Sequence, residues 1–421
     1  MILGKRVVIY GMNYAPEIAG VGRYTGEIGE HLAAQGHQVT VITTPPHYPG
    51  WRCRPGYSNG WTCETLAGVT LYRCPLYLHE QMSGVRRMLA PLSFALSSAP
   101  VALWRILRQR PDVVLAVEPT LFVAPVALLG ARLVGAKAVL HVQDLEVEAA
   151  FAVGHLDGGS LAARLAAWFD RWAARAFDRV ITISNRMAGK IAAKGVLAEK
   201  IAVIRNWVDI DQIRPDLDAG AYRRELGLAP SDFVILYAGN LGAKQGLGLL
   251  IEAARRLAAR PDIVFVVAGD GPMRPQLEAA AAELPNLRLL PFQPEARFGE
   301  FLRVADLHVL PQERKAADLL LPSKLGGMLA SGRPIVVTAD EGSELATFLG
   351  GSCRLAPPGD PDALAAAIAD AAAAPPDPAA ERERLALAAS LSKQAGIREF
   401  ERAALFLPAA QATTTGRREA A

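Results

Sequence analysis

Two doubly wound α/β domains, each a Rossmann-like parallel sheet, are what this 421-residue chain predicts. Three observations lead there. The first forty residues run strand, loop, helix, strand; that alternation recurs; and it restarts midway, giving two blocks of strands with their own interleaved helices. The length agrees, since domains of about 100–200 residues divide the chain into two.

Residues 6–11 (RVVIYG) form a β-branched run closed by Gly11, the pattern of a buried parallel strand. A Gly-bearing loop follows, then helical spacing over 24–35. Gly36-His37 precede a second strand at 38–44 (QVTVITT), completing a βαβ unit. Further strands are expected at 113–117, 137–142 and 179–183, separated by Ala- and Leu-rich helices. The second block starts near residue 201, with strands at 233–238 (FVILYA), 263–268 (IVFVVA), 287–291, 307–310 and 334–338 and a helix over 247–260. The turn-rich stretch 205–215 (RNWVDIDQIRP) marks the boundary. The expected organisation is a first domain over 1–205 and a second over 206–392. A C-terminal helix over 393–407 packs back on the first domain, and 408–421 form a disordered tail. The Pro/Ala-rich residues 371–380 read as a loop.

Composition narrows the partners. Half of the chain is hydrophobic, 51%, and net charge is only +3, so neither a disordered chain nor a nucleic-acid binder is expected. Cys53, Cys63, Cys74 and Cys353 form no CxxC pair and read as reduced thiols. The first residues read as a strand and not as a signal peptide, which predicts a cytoplasmic catalytic body. Residues 88–107 stand apart: an apolar stretch flanked by Arg86, Arg87, Arg105, Arg108 and Arg110. Its two prolines and several serines argue against a bilayer-spanning helix. A helix touching the inner face of the cytoplasmic membrane and a buried crossover helix with a basic end both fit.

Ligands of open α/β sheets bind beyond the carboxyl ends of the strands, so residues just after strands are the candidates. In the loop 14–23 (YAPEIAGVGR), Gly20 and Gly22 permit close backbone approach to a phosphate. His141, Asp144, Glu146 and Glu148 follow a strand and suit hydrogen bonds to ligand hydroxyls. Gly239, Asn240, Lys244 and Gln245 form a Gly-rich loop with a cation after the first strand of the second domain, a phosphate site by physical logic but without P-loop spacing. Gly271 sits in a tight turn after the next strand. Pro322 and Ser323 suit a helix start, Lys324 adds charge to it, and Asp318 is placed to meet ligand hydroxyls.

These segments, in this order, resemble the retaining GT-B glycosyltransferases of family 4, and within them the WcaI-type colanic acid biosynthesis group. The likeness runs through YGMNYAPEIAGVGRYTGEIGEHLAAQGHQVTVIT, LHVQDLEVEA, ISNRM, IRNWVD, YAGNLGAKQGL, GDGPMR and LPSKLGGMLASGRPIV. The resemblance implies two Rossmann-like domains facing a central cleft. A GDP- or UDP-linked sugar, GDP-fucose first, would lie mainly in the second domain. The first domain would take the acceptor, a glycan on a polyprenyl diphosphate at the membrane surface. It implies retention by same-face attack, with no metal and no cofactor beyond the nucleotide sugar. Asp209-Ile-Asp211 is a formal DxD but lies at the expected hinge, so no metal is assigned to it.

The chain departs from the wider family at Asn240 (usually Arg), Gln245 (usually Lys), Leu319 and Gly327 (usually a Glu pair). Those departures leave the donor ribose without its usual carboxylate. They keep two other readings open: a GT-B-fold sugar-nucleotide epimerase, and a non-catalytic nucleotide-sugar-binding component of a polysaccharide assembly complex.

Overall fold

The computed structural model describes residues 4–17, 20–48, 50–79, 85–145, 160–242, 245–312 and 322–407. Two α/β lobes face each other. In the first lobe the elements are β1 (Arg6–Tyr10), α1 (Val21–Ala34), β2 (Gln38–Thr43), β3 (Thr62–Leu66), β4 (Val69–Arg73), α2 (Val85–Gln109), β5 (Val113–Glu118), α3 (Ala124–Val134), β6 (Lys137–Val142), α4 (Leu161–Ala176), β7 (Arg179–Thr182), α5 (Asn185–Ala193) and β8 (Ile201–Val203). The 8-stranded sheet has the order β3-β4-β2-β1-β5-β6-β7-β8. Only β3 is antiparallel to its neighbour. The central strands are buried on both faces, which is why they read as unbroken apolar runs.

The second lobe carries α6 (Gly220–Glu225), β9 (Phe233–Ala238), α7 (Leu247–Arg256), β10 (Ile263–Ala268), α8 (Arg274–Glu283), β11 (Leu287–Leu290), α9 (Phe298–Arg303), β12 (Leu307–Leu310), α10 (Lys324–Ala330), β13 (Ile335–Thr338), α11 (Glu344–Leu349), β14 (Arg354–Ala356), α12 (Pro361–Ala373), α13 (Pro378–Ser390) and α14 (Lys393–Ala404). Its order, β11-β10-β9-β12-β13-β14, reverses direction beside β9, so β9 stands at the switch point of the lobe.

Several sequence expectations are corrected. The hairpin β3–β4 and the short β14 carry no long apolar run, and β3 is largely exposed, so neither shows the buried-strand pattern. The loop expected at 371–380 shrinks to the link between α12 and α13, because Asp377 accepts from the Ala379 and Ala380 N–H groups and Pro378 opens α13. Residues 88–107 belong to α2, whose segment Met88–Gln109 is long and apolar enough to cross a membrane by length and composition. Its inner ridge packs on the sheet: Ala90, Phe94, Ala102 and Ile106 are buried, and the Tyr10 hydroxyl lies 2.7 Å from Ser98 Oγ.

The chain passes between the lobes twice, side by side. Val208 N–H donates to Leu391 O and Lys393 N–H to Val208 O, both at 2.8 Å. Helix α14 then lies on the first lobe opposite α2, with Ile397, Phe400 and Ala404 in the apolar layer that α1 also fills. Glu401 meets His31 Nε2 at 2.8 Å and His37 Nε2 at 3.1 Å. Because His37 Nδ1 accepts from the Lys5 N–H, its proton is on Nε2, donated to Glu401. The DxD carboxylates are spent on local structure. Asp209 Oδ1 accepts from the Asp211 and Gln212 N–H groups, and Asp211 Oδ2 from Gln394 Nε2.

Candidate donor site between the lobes

The site builds up from the C-terminal end of β9. Tyr237, its penultimate residue, is buried, and its hydroxyl donates to Asn240 O at 2.8 Å, folding the following turn back on the strand. Lys324, at the start of α10, reaches into this turn. Its Nζ lies 2.5 Å from the Tyr237 hydroxyl, 2.5 Å from Gln245 Oε1 and 4.2 Å from the Tyr237 ring centroid. The end of the lysine covers Gly239, where a Cβ would lie 3.4 Å from Lys324 Cε. Burial lowers the Lys324 ammonium from 10.5 to about 7. No carboxylate among the described residues lies within ion-pair distance of it. A cation held in this way, among neutral oxygens at a switch point, is equipped to receive an anion.

Gly271 closes the next wall. It has φ +150°, and a Cβ there would meet the Leu241 carbonyl and Asn240 Oδ1 at 2.8 Å. Asn240 Oδ1 is buried without a hydrogen-bond partner among the described residues, whereas Asn240 Nδ2 donates across the cleft to the Tyr48 hydroxyl at 3.3 Å. Tyr48 in turn lies beside Gly20, whose φ of +65° starts α1. The structure therefore brings together Gly20, Gly239, Asn240, Gln245, Gly271 and Lys324. Tyr237 and Tyr48 join them unforeseen: one reads as an ordinary strand residue, and the other lies 192 positions from its partner.

Other expectations change. Gly22 does not face a ligand: it lies within α1, where a Cβ would overlap the Glu17 carboxylate. Glu17 is the buried anchor of this loop, accepting from Asn13 Nδ2 at 2.9 Å and from the His47 and Tyr48 N–H groups at 3.1 and 3.0 Å. His141 is an interior residue and not a cleft residue. Its ring lies 4.7 Å from that of Phe400, its Nε2 meets Gln143 Nε2 at 3.1 Å, and burial lowers it from 6.5 to about 3, so it is neutral. Asp144 Oδ1 accepts the Leu145 N–H in a local turn. Ser323 has helical φ and ψ and makes no side-chain cap, contrary to its expected role. Pro322 and Ser323 instead line a small crevice between the lobes with Ile183, Arg205 and Asn206. Glu146, Glu148, Lys244 and Asp318 lie outside the described residues.

A second lobe-to-lobe contact was not foreseen. Glu344, at the start of α11, accepts the Asn185 and Arg186 N–H groups at the start of α5, both at 2.8 Å. Arg205 lies 3.5 Å from the same carboxylate and stacks over Phe348 at 5.1 Å. Glu344→Ala removes the acceptor while leaving both lobe cores intact. Its expected result is a larger radius of gyration by solution X-ray scattering at an unchanged melting temperature. A wild-type scattering curve would show that this contact does not hold the lobes together.

Comparison with known proteins agrees with the two-lobe division. Residues 19–207 match the model of a glycosyl transferase 4-like domain, and 232–373 that of glycosyl transferases group 1. The chain is 43% identical to the putative colanic acid biosynthesis glycosyl transferase WcaI of Escherichia coli K12, over 81% of this chain and 84% of that protein. Among solved structures, sucrose-phosphate synthase from Thermosynechococcus elongatus superposes with a TM-score of 0.73 at 16% identity, covering 94% of this chain and 98% of that one. Anabaena HepE in complex with UDP-glucose superposes with a TM-score of 0.66 at 15% identity, covering 94% and 98%.

Proposed function

The chain belongs to the WcaI-like GT-B glycosyltransferases, and on that premise we propose that it moves a sugar, with retention, from a nucleoside diphosphate to a lipid-diphosphate-linked glycan in exopolysaccharide assembly. The observation that carries the donor half is Lys324, without a carboxylate partner among the described residues and held by Tyr237 and Gln245 over the Gly239 turn. A diphosphate seated there draws the lysine into its charged form and meets the open backbone of two glycine turns, with no metal required.

In the proposed step the bond from the anomeric carbon to the diphosphate oxygen breaks. The acceptor hydroxyl oxygen then bonds to that carbon on the same face, and its proton passes to the departing diphosphate. Lys324 holds the charge that grows on the leaving oxygen. Asn240 and Tyr48 tie the lobes together over the donor, which keeps water from competing with the acceptor. The first lobe takes the acceptor, and the polyprenyl carrier places the reaction at the cytoplasmic face of a membrane. The likeness to WcaI supports the exopolysaccharide assignment, and a GDP-linked sugar is the first donor to try.

Thermal melting against a panel of GDP- and UDP-sugars identifies the donor, because a ligand at 100 times its Kd stabilises the native state by about 2.7 kcal/mol. Radiolabel from that donor is then expected in the lipid phase when membrane lipid extract is supplied. Epimerised donor without labelled lipid, or a melting shift without turnover, would each defeat the transferase reading. Complete loss of turnover on chelation, restored by manganese, would defeat the metal-free step.

A further inference from the structure

We infer that the outer face of the layer formed by α2, α3 and α4 is a docking surface for an anionic lipid bilayer. The lipid-linked acceptor makes such a surface useful, but the argument is independent of catalysis. The three helices lie side by side on one face of the first sheet, their inner ridges sharing one apolar cluster. Along α2 the solvent side repeats every fourth residue as Met88, Leu92, Leu96, Pro100 and Trp104, all exposed. Leu96 is 70% exposed. Helix α3 continues the surface with Leu129 and Leu133, and α4 with Leu161, Leu165 and Trp168.

A soluble face normally scatters its large apolar residues singly, and a contiguous set of this kind marks an interaction surface. Trp61, 65% exposed, adds to it by donating its indole N–H to Ser97 O at 3.3 Å, which lays the ring along α2. Tryptophans at Trp61, Trp104 and Trp168 match the amphipathic side chains that settle at lipid headgroup depth.

Charge decides the occupant. The exposed positions of these helices include Arg86, Arg108, Arg132, Arg164 and Arg171. Their only acid is Asp170, which is buried and bonded to Lys194 Nζ at 2.9 Å. An apolar face whose exposed helix charges, among the described residues, are all cationic complements anionic headgroups above acyl chains. A self-complementary contact between two copies would instead set these arginines against one another. Docking is shallow, because the inner ridge of α2 is committed to the sheet.

Co-sedimentation of the full chain with vesicles tests this. Vesicles of mixed phosphatidylglycerol and phosphatidylcholine are expected to bind it, and phosphatidylcholine alone to bind much less. The double variant Leu96→Glu/Trp168→Glu should lower the partition at least about tenfold, since it removes apolar anchors and adds acids. Arg164→Glu/Arg171→Glu should lower it mainly on anionic vesicles. Both pairs sit on the exposed side, so melting temperature and the donor-induced melting shift should stay at wild-type values. A retained shift with lost vesicle binding separates the surface from the transferase site. Equal binding to both vesicle types would overturn the inference. So would a concentration-dependent dimer that ignores vesicles and is broken by the Leu96/Trp168 pair.

Discussion

Lys324→Met should lower kcat/KM by about 10²–10³-fold, the loss seen when one preorganised stabiliser of a developing negative charge is removed, while leaving the melting temperature unchanged or raised. The ammonium is half-buried against Tyr237 and Gln245 with no carboxylate partner among the described residues, so the ligand-free fold gains little from it. Methionine fills a similar volume without the cost of a buried charge. An unaltered rate would remove Lys324 from the donor site.

The same lysine predicts a pH dependence of definite sign. Burial lowers its folded-state pKa from 10.5 to about 7. Between those values the unfolded chain binds a proton that the native state lacks, so ligand-free stability rises with pH across that window. The penalty is complete below about 7 and gone above 10.5. Lys324→Met should flatten that rise in denaturant-unfolding series at several pH values. A diphosphate placed beside Nζ favours the charged form, so donor binding at pH 8 should take up close to one proton. Calorimetry in buffers of different ionisation enthalpy measures this uptake. Zero uptake, or uptake unchanged in Lys324→Met, would place the diphosphate elsewhere.

Glu17→Ala should cost on the order of 3–5 kcal/mol, because it leaves the His47 and Tyr48 N–H groups and the Asn13 amide without their buried acceptor. For a lobe of this size each kcal/mol is about 2–4 °C in Tm, so a loss near 10 °C is expected by calorimetry. Activity should fall as well, since the Tyr48 that meets Asn240 is carried by this loop. Glu17→Gln keeps one acceptor oxygen and should recover part of the loss. A Glu17→Ala protein melting within about 2 °C of wild type would show that the loop is held by other contacts.

Much of the architecture could be read from the sequence because parallel strands covered on both faces must be continuously apolar. RVVIY, VVLAV and FVILYA can be little else once helical spacing follows each. TCETL lacked that signature, since an exposed edge strand needs no apolar run and is held by its pairing with β4. The candidate site was legible where chemistry follows a strand end directly, as at Gly239, Asn240 and Gly271. It was not legible at Glu17, Tyr48 or Glu344, whose roles come from partners across the loop or the other lobe. His141 shows the opposite error. Position after a strand suggested the cleft, but α14, returning from the far end of the chain, covers it with Phe400.

By itself, then, the sequence determined the two α/β lobes, their order and the glycine turns at their strand ends, since these follow from local periodicity and glycine placement. Tertiary structure alone decided which groups meet in the cleft, that Lys324 has no counter-ion among the described residues, and that α2, α3 and α4 pack through one apolar cluster with leucines and tryptophans left on their outer sides. Those are contacts between segments distant in sequence, and burial and packing, not local propensity, set them.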